Sequence, residues 1–327
     1  MDAVFTFIQI NYNMITTCLS VIVNSIFVYL TMYKSRKAMG SYQEILAATG
    51  VFEIFYSMLI VVSDQLLFIS PDVFMVYMRP GAIFDQTPFV LHIMSIKVCC
   101  IGLTYGLLEV HFIYRYIAVC KPHYMNHLAS GAFKLAIFLY FILHGLSIYL
   151  IYIILLPCDR DTKSNFLGPV FNKTGIDIEQ RDVLCMTMTK GTGEVRFIGH
   201  LSIGLLYFFS LYSVMVYIVL GISIIRNLRR TVISRAAKSL QRYLTIALVV
   251  QTIIPVVTNF IPTIISWSCP MFQLTLPLLF WRFSQIFVSL FPIIDPIGVI
   301  LILPEYRRSL LFCFQRHHEK HIDVISV

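Results

Sequence analysis

Arg115 is a permanent cation inside the apolar run "HFIYRYIAVC", with Tyr114 before it, Tyr116 after it and no acidic neighbour. A guanidinium presents five N–H donors in a rigid fork and accepts nothing, so at that place it must find acceptors or water. Other ionisable residues interrupt similar runs: Glu53, Asp64, Lys97, Glu109 and Asp295, the last followed directly by Pro296. They form no enzyme pattern, since the chain has no HExxH, no GxSxG and no glycine-rich phosphate loop. His123 and His127 stand four apart, as metal ligands on one helix face would, but no third ligand is near and they read as polar loop residues. No catalytic residue, cofactor or metal is expected. The chemistry on offer is that of charges with alternative partners.

The elements that must hold these groups lie in lipid. Of 327 residues 58% are hydrophobic and only 13% charged, with a mean hydropathy of +0.79, far outside the balance of soluble domains. Windows of the roughly 20 residues needed to cross a bilayer recur along the chain. They predict an all-α integral membrane protein, a seven-transmembrane helix bundle over 1–303. Its helices are expected at about 12–33, 45–69, 89–120, 134–157, 197–225, 243–266 and 278–303, the sixth breaking at "SWSCP". The first run is too long for a cleaved signal and lacks a basic leader, so it is expected to serve as the first span. Residues 304–327 form a tail in which "EYRRSLLFCF" suits a short amphipathic helix on a membrane surface, with Cys313 a palmitoylation candidate.

Lysine and arginine set the orientation. One set of loops carries Lys34, Arg36 and Lys37, then Lys121 and Lys134, then six cations from Arg226 to Arg242, then the basic tail, with Glu44, directly before the second helix, the one acid between the helices. The other set balances its charges, and its long loop from Cys158 to Arg196 holds six cations against six acids. The basic set is therefore expected inside, the N-terminus outside and the C-terminus inside. The net charge of +8 is thereby absorbed as membrane topology, which leaves no nucleic-acid partner to invoke. In the long outer loop Asn172 begins the glycosylation pattern "NKT". Cys158 and Cys185 bracket that loop and are candidates for a disulfide, with Cys269 as the competing partner.

In this frame Arg115 lies within about two turns of the inner surface. Two roles are open to it: a snorkelling anchor, or a polar contact that changes when the inner ends of the helices separate, with Tyr114 and Tyr116 packing beside it. Asp64 and Lys97 could pair across neighbouring helices at the floor of an outer cavity. Glu53, Glu109 and Asp295 are expected to form a polar network with alternative partners. Pro255 and Pro262 each remove a backbone hydrogen bond, so a kinked sixth helix is the expected moving part.

Several segments carry a resemblance: "MGSYQEILAATGVFEIFYS" at 39–57, "HFIYRYIAVCKPHY" at 111–124, "GIDIE" at 175–179, "RYLTIALVVQTIIPVV" at 242–257 and "FPIIDPIGVILILPEYRRSLL" at 291–311. In this order the chain resembles the nematode seven-transmembrane chemoreceptors, serpentine receptor class r, with class j as neighbour. The resemblance implies a G-protein-coupled receptor in the plasma membrane of a chemosensory neuron cilium. Its partners would be a small environmental molecule, a heterotrimeric G protein and the lipid bilayer. It also implies that Tyr114, Arg115 and Tyr116 stand where rhodopsin-like receptors have an acidic-Arg-aromatic motif, and that Asp295-Pro296 resembles their Asn-Pro motif. This sequence departs in having Tyr114 instead of the acid and no tyrosine after Pro296 within the helix. The rival reading is a multi-span transporter or channel subunit; it predicts an internal repeat or a continuous polar stripe, and neither is present in the sequence.

Overall fold

The computed structural model describes residues 2–35, 39–128, 130–230 and 234–310, with residues 2–10, 278, 279, 281 and 282 described as backbone alone. Among them seven helices are long and apolar enough to cross a membrane. They are Asp2–Lys34, Tyr42–Ser63, Val90–Cys120, Gly131–Leu150 with a π turn over Ile151–Leu155, Gly193–Arg230, Arg235–Pro255 continuing through a π turn (Val256–Phe260) into Ile261–Phe272, and Leu278–Ile302. Local chemistry explains several ends. Ser130 and Ser234 cap the fourth and sixth helices by accepting from the N–H groups of Phe133 and Ala237, which intrahelical bonding would leave unpaired. The sixth helix outruns its expected end by six residues, because a proline at 270, in its last turn, forfeits a single bond. Gln273 then closes the helix in a left-handed conformation (φ 51°).

Burial ranks the helices. In the most apolar stretch of the third helix 56% of residues are buried, against 22% in the fifth, so the third is the central post and the fifth is peripheral. Apolar residues such as Phe138, Leu143, Phe208 and Met215 stand exposed on the fourth and fifth helices, an outer surface that suits lipid and would be costly in water. The third and fourth helices approach closely at glycine: a Cβ on Gly102 would lie 2.6 Å from Ile148 Cγ1. Small residues of this kind are what lets helices in lipid gain packing energy.

One end of the bundle is closed by a sheet that the sequence reading did not anticipate. Residues 65–69, expected in the second helix, leave it at Asp64, whose φ of 32° breaks the helix, and form β1 (Gln65–Ile69). β1 pairs antiparallel with β2 (Val73–Met78), and β2 with β3 (Val183–Thr187) from the long loop, in the order β1-β2-β3. Every residue of β2 is buried because both faces are covered. Phe74, Val76 and Met78 point into the bundle core with Met94 and Trp267, whereas Val73, Met75 and Tyr77 pack under Phe166, Val170 and Ile178 of the long loop.

The fifth helix meets this sheet at Gly199, where a Cβ would collide with the carbonyl oxygen of Thr187. Gly199→Ala should therefore destabilise the protein by about 1–3 kcal/mol, the usual range for overpacking. Gly193→Ala, with open space around its site, should not. Melting temperatures of the two variants in detergent would separate them; equal values would mean that the sheet and the fifth helix are not tightly docked.

Candidate functional site

Three polar layers are stacked through the bundle between the end bearing the sheet and the end bearing the cations. The first is a cavity of about 70 Å³ beneath the sheet, reached by all the spans except the fifth, with Phe74 and Val76 of β2 above and Trp267 and Tyr152 on its walls. Tyr152 accepts a hydrogen bond from Trp267 Nε1 at 3.2 Å. Lys97 lines this cavity. Its expected partner Asp64 is engaged elsewhere, since Arg79 Nε donates to Asp64 Oδ2 at 2.7 Å. The reason is local: the second helix stops at Ser63, so Asp64 opens the β1-β2 hairpin and Arg79 follows the strand that closes it.

The second layer centres on the seventh helix. Pro296 has no N–H, which frees the carbonyl of Pro292 four residues back. Asn24 of the first helix takes that carbonyl at 2.7 Å, and Ser20 reaches it at 3.4 Å. Gln251 of the sixth helix donates to Asp295 at 3.2 Å, and Glu53 of the second faces Asn24 and Asp295 with neither carboxyl oxygen hydrogen-bonded to a described residue. Four helices thus meet at one buried polar cluster. Glu109, expected in the same network, belongs to another: it accepts from Tyr140 of the fourth helix and lies 3.8 Å from His144 Nδ1.

Arg115 forms the third layer. It is 1% exposed, so it is buried in protein and does not snorkel. Its Nη1 donates to Gln241 Oε1 at 2.7 Å, and Nη2 donates to the Gln241 carbonyl at 3.1 Å and to Thr245 Oγ1 at 3.2 Å. The guanidinium also lies 5.7 Å from the centre of the Tyr42 ring. Tyr114 stacks on Tyr42 with ring centres 5.3 Å apart, and His111 lies 2.8 Å from Thr49 Oγ1 and 3.1 Å from the Tyr42 hydroxyl. The fork therefore ties the third helix to the sixth, while Tyr42 and His111 tie the third to the second. Tyr116, half-buried, packs in the apolar core cluster of Phe112 and Tyr217.

Sequence reasoning missed Tyr42, His111, Gln241, Thr245, Asn24 and Gln251. Spacing could have found two pairs, because His111 and Arg115, and Gln241 and Thr245, each stand four apart and so share a helix face. Near the cations, a groove of about 500 Å³ opens between the fifth and sixth helices, lined by Arg229, Lys238, Arg242 and Thr245 together with aliphatic side chains. Thr245 thus touches both the groove and the Arg115 fork.

Cys158 is bonded to Cys185, their Cα atoms 5.1 Å apart, and Cys269 is free and buried. Just after Cys158, Asp159 caps the helix Arg160–Ser164. Burial opposes its charge, but hydrogen bonds from Thr162 together with the backbone of Asp159 and Asp161 outweigh that and hold its carboxyl below the usual range. Asn172 is exposed on the helix Leu167–Thr174 at the same end. Cys313 lies in the last four residues of the amphipathic tail segment, which fall outside the described residues; the first six, 305–310, belong to a helical stretch over 304–310.

A bundle of seven apolar helices with a central third helix, a roofed cavity at one end and a cationic face at the other defines a seven-transmembrane protein. Residues 3–310 match the family model described as "Serpentine type 7TM GPCR chemoreceptor Srj", and the chain belongs to that family. Of the two classes that the sequence resemblance put side by side, the matching model is thus that of class j. Among curated relatives, it is 25% identical over 303 residues to serpentine receptor class J-38 of Caenorhabditis elegans, covering 90% of each chain. It is 26% identical over 314 residues to serpentine receptor class r-10 of Caenorhabditis briggsae, covering 88% of this chain and 86% of the relative. A third relative, the G-protein coupled receptor str-217 of Caenorhabditis elegans, is also 26% identical over 314 residues, covering 89% and 86%.

Proposed function

We propose that the protein is a chemosensory receptor that binds a small environmental molecule in the cavity beneath the sheet and activates a heterotrimeric G protein at the cationic end. In this reading the sheet end and N-terminus face outward, the C-terminus faces inward, and the receptor works in the plasma membrane of a sensory cilium. The observation that carries it is the Arg115 fork: one buried cation joins the central helix to the sixth, at the end where a partner would dock. The sixth helix also has its ladder interrupted in mid-span, by Pro255, a π turn and Pro262. A break there lets the segment carrying Gln241 and Thr245 swing while the part lining the cavity stays packed. Ligand contacts with Trp267 and Ser266 beyond the prolines would bias that swing.

The test is expression of the full chain in cells with a calcium or cyclic-nucleotide reporter, screened against small metabolites. A response that needs both the chain and a G protein is expected. Flux of a tested molecule without any G protein would overturn the reading in favour of transport. Orientation is checked separately. An N-terminal tag should be reached by antibody on intact cells and a tag after Val327 only after permeabilisation. Asn172→Gln should abolish a glycosidase-sensitive mobility shift, whereas a wild-type chain without such a shift would mean that "NKT" is unused.

A further inference from the structure

We propose that the cavity beneath the sheet takes a small organic anion, a short-chain carboxylate held by the ammonium of Lys97. This rests on the cavity being the ligand site, as argued above, and names the class of ligand. Among the described residues lining the cavity Lys97 is the single charged one, and the rest of the lining is apolar or neutral polar. No described carboxylate forms an ion pair with it; Glu53 and Asp295 belong to the separate cluster around Asn24 and Gln251. Asp64 is bound to Arg79, and Glu109 accepts from Tyr140 on another helix. Glu109 also lies twelve residues further along the third helix than Lys97, about 18 Å away at 1.5 Å per residue. Lys97 itself makes no ion pair or hydrogen bond to a described residue. An unpaired ammonium at this depth is costly, and an anion entering the cavity removes that cost.

A second group favours a carboxylate over a simple halide. The Tyr152 oxygen already accepts from Trp267, which leaves its own proton to donate into the cavity that it lines. A carboxylate has two oxygens, one for the ammonium and one for the phenol. The same cation repels a protonated amine, and a neutral ester offers it only a weak acceptor. Size narrows the class further. The cavity of about 70 Å³, against about 10–15 Å³ for one water on the same measure, has room for roughly five to seven heavy atoms, which favours an acid of two to four carbons over a long-chain fatty acid.

The experiment uses the full-length protein purified in detergent. Its thermal unfolding is followed in sodium acetate, propionate and butyrate, in the matching methyl esters, and in sodium chloride at equal ionic strength. At least one acid should raise the melting temperature by roughly 2 °C or more above the chloride control, with the esters inert. Lys97→Met should melt no lower than wild type without ligand, since it removes a half-buried charge that no described residue pairs, and should lose the increment from acid. An absent rise across the three acids, an equal rise with esters, or an undiminished rise in Lys97→Met would each overturn the proposal. The first two outcomes need no variant. All three are read without a G protein, so a chain that binds acids yet never signals would sink the receptor reading and leave this inference standing, and the converse result would do the reverse.

Discussion

Gln241→Ala should raise signalling in the absence of ligand, at unchanged surface level, by about tenfold or more. Gln241 offers its amide oxygen and its backbone carbonyl to the Arg115 fork, and the substitution removes the shorter of those bonds. A hydrogen bond from a charged donor contributes about 1.5–3 kcal/mol, and 1.4 kcal/mol is a factor of ten in an equilibrium between closed and open arrangements. In the proposed receptor cycle the bond belongs to the closed packing of the third helix on the sixth, so its loss favours the open form. Arg115→Lys is predicted to act differently. A lysine has one nitrogen and cannot span two acceptors on Gln241 and a third on Thr245, so the closed form weakens. The planar group that would meet a partner in the opened mouth is lost as well. At matched surface level the lysine variant should therefore give a markedly lower maximal response to ligand, with Arg115→Ala lower still. Normal signalling by Arg115→Lys would remove the fork from the mechanism. An unchanged basal signal in Gln241→Ala would show that the contact does not restrain the sixth helix.

The number and rough placement of the seven helices were legible because lipid imposes long apolar windows, a constraint strong enough to read without partners. The three strands were not. "QLLFI" continues an apolar helical run without a break, and Asp64, which ends that helix, was read as an intramembrane acid. "VFMVYM" is a short, β-branched and aromatic run between "SPD" and "RPG", so turn chemistry on both sides did mark it as a strand. That six-residue signal is short beside the long apolar windows on either side of it. The candidate site was half legible for a related reason. A lone charge in an apolar segment announces itself, whereas its neutral partners Gln241, Thr245, Asn24 and Tyr42 look like ordinary polar positions until the helices are assembled. Pairing was the weakest inference. Asp64 was matched to Lys97 on depth alone, and depth says nothing about which way a chain turns after its helix ends.

Cys158→Ser and Cys185→Ser should each abolish most surface expression, and the double variant should be no worse than either single one. The bond closes a loop of 27 residues, which on the chain-entropy account stabilises the fold by roughly 3–4 kcal/mol. Its position adds a local consequence. Cys158 lies just after the fourth helix and Cys185 is the middle residue of β3, which covers the outer edge of β2. The Cys158 N–H donates to Val183 and the Cys185 N–H to Leu156, so backbone and disulfide together hold the roof of the cavity to the bundle. Losing either sulfur breaks the same link, and effects on one link do not add. Cys269→Ser is the control: it is free, buried, and bonded through its thiol to the Ile265 carbonyl, so a serine hydroxyl can replace it at modest cost. Surface labelling of the four variants decides the matter. A double variant much worse than either single one, or a Cys269→Ser variant as poorly expressed as Cys185→Ser, would mean that the third cysteine takes part in the pairing.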